Sequence, residues 1–280
     1  MSKIIDQSYL LNEQYKDATN LDARVRLHLL FSANQYGWHR WCFDLYALSV
    51  QARVLEIGCG PAHLWTTNLD RVPPRWRITL SDFSSGMLEQ AKQNLLNTWQ
   101  ASASLHSARP AQQFSFEVGD AEQIPFDVDV FDAVIANHML YHVPDRPRAL
   151  AEMRRVLKPG GTVYLATNGL SHLRELYELE QRFDPTIDFG WSSYSHQSFS
   201  LDEGGADVQR YFQDVRVVRY EDALNVTQAG PLVDYILSMT TTSVARQCRA
   251  DLQRFIEAEL SHCGVIHISK ESGMFVGVRS

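Results

Sequence analysis

Three acidic residues stand where short apolar runs meet polar turns. Glu56 lies inside the run Arg53–Ile57, directly before Gly58-Cys59-Gly60; Asp82 follows the run Arg77–Leu80; Asp120 follows Phe114–Val118. Two glycines one residue apart allow a tight turn and let a ligand approach backbone N–H groups at the start of the next helix, although such a turn can also be purely structural. A dinucleotide-binding turn would read G-x-G-x-x-G, and here the third glycine position is His63. A carboxylate at Glu56 would repel a pyrophosphate and suit a cationic ligand. Asp82 lies 22 residues beyond Gly60, where a carboxylate can accept both hydroxyls of a ribose or simply cap a turn. Asp120 can accept from an exocyclic amine or hold a turn of its own.

A second group falls in Asn137-His138-Met139-Leu140-Tyr141-His142-Val143-Pro144-Asp145. Histidine titrates near neutrality, which makes His138 and His142 the candidate general bases. Tyr141 either orients a substrate or packs. His138 and His142 are four residues apart and would share a face on a helical turn. That spacing also occurs in metal sites, but no acidic or cysteine partner stands nearby, so no metal is expected. The alternative for His142 is a structural hydrogen bond to neighbouring backbone.

The elements that must position these residues alternate. Strands are predicted over Arg53–Ile57, Arg77–Leu80, Phe114–Val118, Phe131–Ala136 and Thr162–Ala166, apolar on both faces as buried parallel strands are. Helices are predicted over Ala62–Leu69, Ser84–Asn97 and Arg146–Leu157. This alternation predicts an α/β, doubly wound, mostly parallel sheet, with ligands at the carboxyl ends of its strands. Strands return at Val215–Tyr220 and Met274–Val278. Residues 1–50 read as a helical cap, with helical spacing from Leu21 to Ser32 and an aromatic helix over Trp38–Leu48. Residues 51–168 form the core, 169–212 an inserted lid beginning with a helix over His172–Phe183, and 213–280 the rest of the sheet with helices over Leu232–Ser238 and Val244–Ser261. Tyr9 and Tyr15 could close over a ligand from the N-terminal segment. His39, His172, Trp191, Tyr194 and His196 could line an acceptor pocket.

The chain has 280 residues, 45% of them hydrophobic and 21% charged, which fits a globular protein with a sizeable core. Its formal charge of −7 disfavours a dedicated nucleic-acid or anionic-membrane binder. Cys42, Cys59, Cys248 and Cys263 form no CxxC pair, which speaks against zinc and for a reducing compartment. The N-terminus lacks a signal-peptide pattern and no apolar run approaches the roughly 20 residues of a membrane span. A cytoplasmic protein without membrane insertion is expected; the oligomeric state is not legible.

Five stretches, Val54–Gly60, Leu80–Met87, Gly119–Phe126, Phe131–His142 and Leu157–Gly161, resemble in order and spacing the motifs of class I S-adenosylmethionine-dependent methyltransferases. The likeness covers about residues 50–170 and is to the ubiquinone-biosynthesis-type, small-molecule branch. It implies a Rossmann-like, seven-stranded sheet with an antiparallel last strand, and S-adenosyl-L-methionine as cofactor. It also implies a role for each matching residue. Glu56 and the backbone of Gly58, Cys59 and Gly60 would sit near the methionine moiety, with Asn137 beside them. Asp82 would hold the ribose hydroxyls, Phe83 and Met87 would flank the adenine, and Asp120 would take the adenine amine with Ala121 alongside. The expected reaction moves a methyl group to O, N or C of a small, specialised-metabolite-like acceptor. The alternatives are a nicotinamide-dependent oxidoreductase and a cofactor-binding protein without turnover.

Overall fold

A computed structural model of the chain describes residues 5–16, 18–101, 113–190, 199–240 and 243–280. Its strands are β1 (Arg53–Ile57), β2 (Arg77–Asp82), β3 (Phe114–Val118), β4 (Phe131–Asn137), β5 (Leu157–Asn168), β6 (Gln213–Tyr220), β7 (Ala223–Val226), β8 (Ile266–Ser269) and β9 (Ser272–Val278). Seven of them form one sheet in the order β3-β2-β1-β4-β5-β9-β6. β1 to β5 pair in parallel, and β9 runs antiparallel to both β5 and β6. This is the sheet expected from the sequence, with its antiparallel final strand.

The helices that frame the sheet are α1 (Thr19–Phe31), α2 (Trp38–Asp44), α3 (His63–Asn68), α4 (Ser85–Ala101), α5 (Arg146–Val156), α6 (Arg174–Phe183), α7 (Gly204–Gln209), α8 (Ala229–Met239) and α9 (Arg249–Cys263). The period-two alternation of the strands divides the apolar residues between two layers. Val54, Ala133 and Ile135 pack with Trp65, Leu88 and the aromatic residues of α2. Leu55, Val134 and Ala136 pack with Leu150, Met153 and Phe275. α5 shows how local sequence sets an element. The Asp145 side chain caps it by accepting from the Arg148 N–H at 3.1 Å, and Ala149, Leu150, Met153 and Val156 form its buried stripe.

A third cluster lies outside the sheet. Leu27 and Phe31 of α1 meet Leu176 and Leu179 of α6, Leu232 and Ile236 of α8, and Ile256 of α9. Leu224 and Ile268 join it from β7 and β8, which pair antiparallel as a separate two-stranded sheet. The sequence patterns did not reveal this sheet, because its strands are four residues each and 39 residues of chain lie between them. This cluster therefore combines α1 and α6 with the stretch between β6 and β9.

The expected lid over 169–212 divides in the same way. Leu173, Leu176 and Phe189 join the cap, whereas Phe199, Leu201, Val208 and Phe212 enter the core beside β9. Trp191, Tyr194 and His196 fall outside the described residues. The aromatic helix ends at Asp44 rather than Leu48, and the helix expected over Val244–Ser261 is broken at Cys248 into two. Among the described residues no helix is long and apolar enough to cross a membrane. The four cysteines are free.

Candidate active site

β1 ends in the glycine turn. Gly58 has φ +68°, and a Cβ there would meet the Met139 Cβ at 2.9 Å, so the position requires glycine on both counts. Gly60 follows at φ +51° and Ala62 at φ +62°, after which α3 begins. The turn is fastened to β2 by two bonds. The Cys59 N–H donates to the Ser81 carbonyl at 3.0 Å, and the Gly60 N–H donates to Asp82 Oδ2 at 2.9 Å. Asp82 Oδ1 also accepts from the Ser84 N–H at 2.8 Å. It thus closes its own turn and the glycine turn together.

A cavity of about 590 Å3 runs along the carboxyl ends of β3, β2, β1, β4 and β5, within the size range of small-molecule sites. Glu56, Gly58, Cys59, Gly60, Asp82 and Phe83 line it, as do Met87, Asp120, Ala121 and Asn137. His138, Tyr141 and His142 line it as well. Every residue singled out for the glycine turn, the strand ends and the histidine segment thus borders one space. Tyr15, His39 and His172 border it too. Tyr9 does not: it is buried and donates its hydroxyl to Gln14 Oε1 at 3.1 Å.

The acids are held in a dry environment. Glu56 is 2% exposed and accepts from Trp65 Nε1 at 2.5 Å and from Asn137 Nδ2 at 3.2 Å. Burial pushes its carboxyl up to about 8, against those two bonds. Burial also raises the Asp82 carboxyl, although the N–H groups of Ser84 and Gly60 oppose it. Asn137 Oδ1 is buried without a hydrogen-bond partner among the described residues. Asp120 Oδ1 accepts from the Glu122 N–H at 2.9 Å.

The histidine segment departs from the expected helical turn. His138 has φ +52°, its N–H donates to the Ala166 carbonyl at 3.0 Å, and only Leu140–His142 make a short 3-10 turn. The left-handed bend separates the two rings, so they share no helical face. His138 lies against Trp38, with ring centroids 5.1 Å apart. His142 Nε2 meets the Tyr15 hydroxyl at 2.9 Å. Burial, with the Lys270 charge adding to it, lowers His138 to about 4. The ring is neutral at pH 7, the form a base needs, but with little proton affinity. Tyr15 is itself held by Arg24 Nη1 at 3.4 Å, and its carbonyl accepts from Ser84 Oγ at 3.0 Å. The N-terminal segment is thereby fixed to the loop after β2.

Beyond β5 the lining changes sign. Lys270, between β8 and β9, lines the cavity and is paired with Asp222, which does not. His28 and His172 stand with it, both driven well below the ordinary histidine range, first by burial and then by neighbouring positive charge including Lys270. His39 falls to about 3, again mainly by burial. His172 Nδ1 accepts from the Glu271 N–H at 3.1 Å, so the neutral ring carries its proton on Nε2. Sequence reasoning missed Lys270, Asp222 and Ser272, for they sit in no motif and are brought in by long-range strand pairing. Among the described residues no group of three or more His, Cys, Asp or Glu is arranged to hold a metal ion.

Residues 55–165 match the family described as a methyltransferase domain. The chain is 31% identical over 204 residues to demethylmenaquinone methyltransferase of Staphylococcus aureus, covering 68% of this chain and 78% of that protein. It is 33% identical over 163 residues to demethylmenaquinone methyltransferase of Staphylococcus epidermidis, covering 56% of this chain and 62% of the length of that relative. Among solved structures, the YcgJ protein from Bacillus subtilis shares the fold, with a TM-score of 0.57 at 19% identity over 86% of this chain and 97% of that one. Glycine turn, strand-end acids, sheet order and these similarities converge: the chain belongs to the class I S-adenosylmethionine-dependent methyltransferase family.

Proposed function

We propose that the protein transfers a methyl group from S-adenosyl-L-methionine to a small acceptor, with the cofactor along β1 to β4 and the acceptor toward β5 and β9. The observation that carries this reading is the convergence of the Gly58–Gly60 turn with Glu56, Asp82 and Asp120 on one cavity. The residues fit the cofactor chemically. The unpartnered Asn137 Oδ1 and the buried Glu56 carboxyl suit the amino-acid ammonium. Gly58, Cys59 and Gly60 border the cavity, where their backbone can meet the methionine portion. Asp82 retains lone pairs for the ribose hydroxyls. Phe83 and Met87, followed by Asp120 and Ala121, would border the adenine.

The bound cofactor supplies a methyl group already activated on a positive sulfur, so the protein's work is alignment and exclusion of water. Trp38 and His138 wall the acceptor side, and Tyr15 with His142 close the N-terminal side. His138 and His142 are the candidate proton acceptors, with Tyr141 as a positioning group. The low proton affinity of His138 favours acceptors that ionise readily. Quinone-type methyltransferases among the relatives support a small, ring-containing acceptor.

Thermal unfolding with added ligand tests this reading. S-adenosylhomocysteine at about a hundred times its Kd should stabilise the fold by about 2.7 kcal/mol, seen as a rise of several degrees in Tm. NAD and NADP at equal concentration should leave Tm unchanged. The reverse pattern would make the glycine turn a pyrophosphate site.

A further inference from the structure

We propose that the β5–β9 end of the cavity is an oxyanion subsite, in which Lys270, His28 and His172 hold an anionic oxygen of the methyl acceptor. The acceptors would then be small molecules bearing a phenolate, enolate or carboxylate. This rests on the methyltransferase reading and adds to it the class of acceptor.

The first support is the state of Lys270. Its side chain is only 7% exposed and that of its partner Asp222 is fully buried. Asp222 accepts from Lys270 Nζ, Ser32 Oγ, the Asn34 N–H at 2.9 Å and the Ala223 N–H at 2.8 Å. Its charge is therefore met on all sides, and it stands behind the ammonium rather than in the cavity wall. Lys270 Nζ lies 5.6 Å from the centre of the Tyr220 ring and donates to Asp222. An ammonium has three N–H groups, and the other two find no hydrogen-bond acceptor among the described residues. A buried charged donor left in that state is costly unless a ligand completes it.

The second support is the set of groups around it. His28 Nδ1 is buried without a partner among the described residues, and His172 offers Nε2–H because its Nδ1 is already engaged. The Ser272 hydroxyl donates to Asn168 Oδ1 at 2.8 Å, which fixes the floor between β5 and β9. His138 and Tyr220 also stand near Lys270, and neither is acidic at pH 7.

The third support is the division of charge along the cavity. Its carboxylates, Glu56, Asp82 and Asp120, all belong to the ends of β1, β2 and β3. Lys270 and His172 stand beside β5 and β9, and the cavity's other cation, Arg24, is engaged by Ser238 and the Tyr15 hydroxyl. Three strand steps separate β1 from β9, or roughly 14 Å at about 4.8 Å per step. One end of the space thus suits a cation and the other an anion, with the transfer between them. The acceptor gives its proton to solvent before or on binding. Its electron pair then forms the bond to the methyl carbon as the carbon–sulfur bond breaks and leaves its pair on sulfur.

The test uses the full chain saturated with S-adenosylhomocysteine, with benzoate, benzamide and para-nitrophenol as probes. Benzoate should bind about 10-fold to 100-fold more tightly than its neutral isostere benzamide, as a charged hydrogen bond implies. Bound para-nitrophenol should show the phenolate absorbance at a pH where the free probe is still protonated. The double variant Lys270→Met/Asp222→Asn removes both charges and leaves no unpaired carboxylate. It should keep S-adenosylhomocysteine binding and lose the preference for benzoate. Equal binding of benzoate and benzamide to the unsubstituted protein overturns the subsite whether or not the variant folds, as does a preference that survives in a variant that still binds S-adenosylhomocysteine. Failure of the unsubstituted protein to bind S-adenosylhomocysteine would instead overturn the cofactor reading.

Discussion

Asn137 Nδ2 donates to Glu56 Oε1 across 3.2 Å and ties β4 to β1 at the point where the strand order reverses. Crevices at such a reversal are where open α/β sheets bind ligands. The pair is incomplete by itself: Asn137 Oδ1 has no partner among the described residues, and burial holds the Glu56 carboxyl near 8. A cationic group between them would satisfy the amide oxygen and restore the carboxylate.

Cofactor binding should therefore release a proton from Glu56. Affinity for S-adenosylmethionine should rise with pH up to about 8, by at most about tenfold per unit. The Glu56→Gln variant should lose this dependence and bind more weakly, since Asn137 can turn its amide to pair with the new side chain but no charge remains. The linked effect on the ligand-free fold has the opposite sense. The native state keeps the proton that the unfolded chain has already lost, so this group's contribution declines as pH rises from the ordinary glutamate range toward about 8. Calorimetry in buffers of different ionisation enthalpy measures the released proton directly.

Gly58→Ala should destabilise the fold by about 1–3 kcal/mol, because it combines a positive φ with a contact to Met139. Met139→Gly added to it removes the contact and leaves the backbone strain, so rescue in urea unfolding should be partial.

Asp222→Ala strands a buried ammonium and should cost about 3–5 kcal/mol. Burial alone would raise the Asp222 carboxyl, but Lys270, Ser32 and Asn34 hold it below the ordinary range. Its contribution is thus present above the usual carboxylate pKa and is lost as pH falls through the lowered one. Unfolding at neutral and acid pH should show the variant and the unsubstituted protein converging on the acid side.

Tyr15→Phe removes the hydroxyl that meets His142 Nε2 and Arg24. The expected loss of stability is about 1 kcal/mol. Dissociation of S-adenosylhomocysteine should also become faster, read by stopped flow, because the N-terminal segment is held less firmly over the cavity.

The parts of the molecule legible in the sequence are those fixed by local pattern. Gly58-Cys59-Gly60 after an apolar run, and acids at the ends of successive runs, marked the edge of the sheet where the cavity lies. Two features were opaque for opposite reasons. The left-handed bend at His138 is a single-residue event that periodicity cannot register, and it places the two histidines against different partners. Lys270 and Asp222 are 48 residues apart and meet only because β7 pairs with β8 and β6 with β9. Neither residue has a neighbour that marks it as functional.

Titration calorimetry with S-adenosylhomocysteine, on the unsubstituted protein and on Asp82→Ala, decides whether the glycine-turn end of the cavity is the cofactor site. The unsubstituted protein should bind it at one site per chain with micromolar affinity. Binding should be about 10-fold to 100-fold weaker in the variant, which loses the proposed ribose contact together with the bond that holds Gly60. Equal affinity in the two proteins, or binding of a nicotinamide nucleotide in place of the homocysteine product, would contradict that assignment.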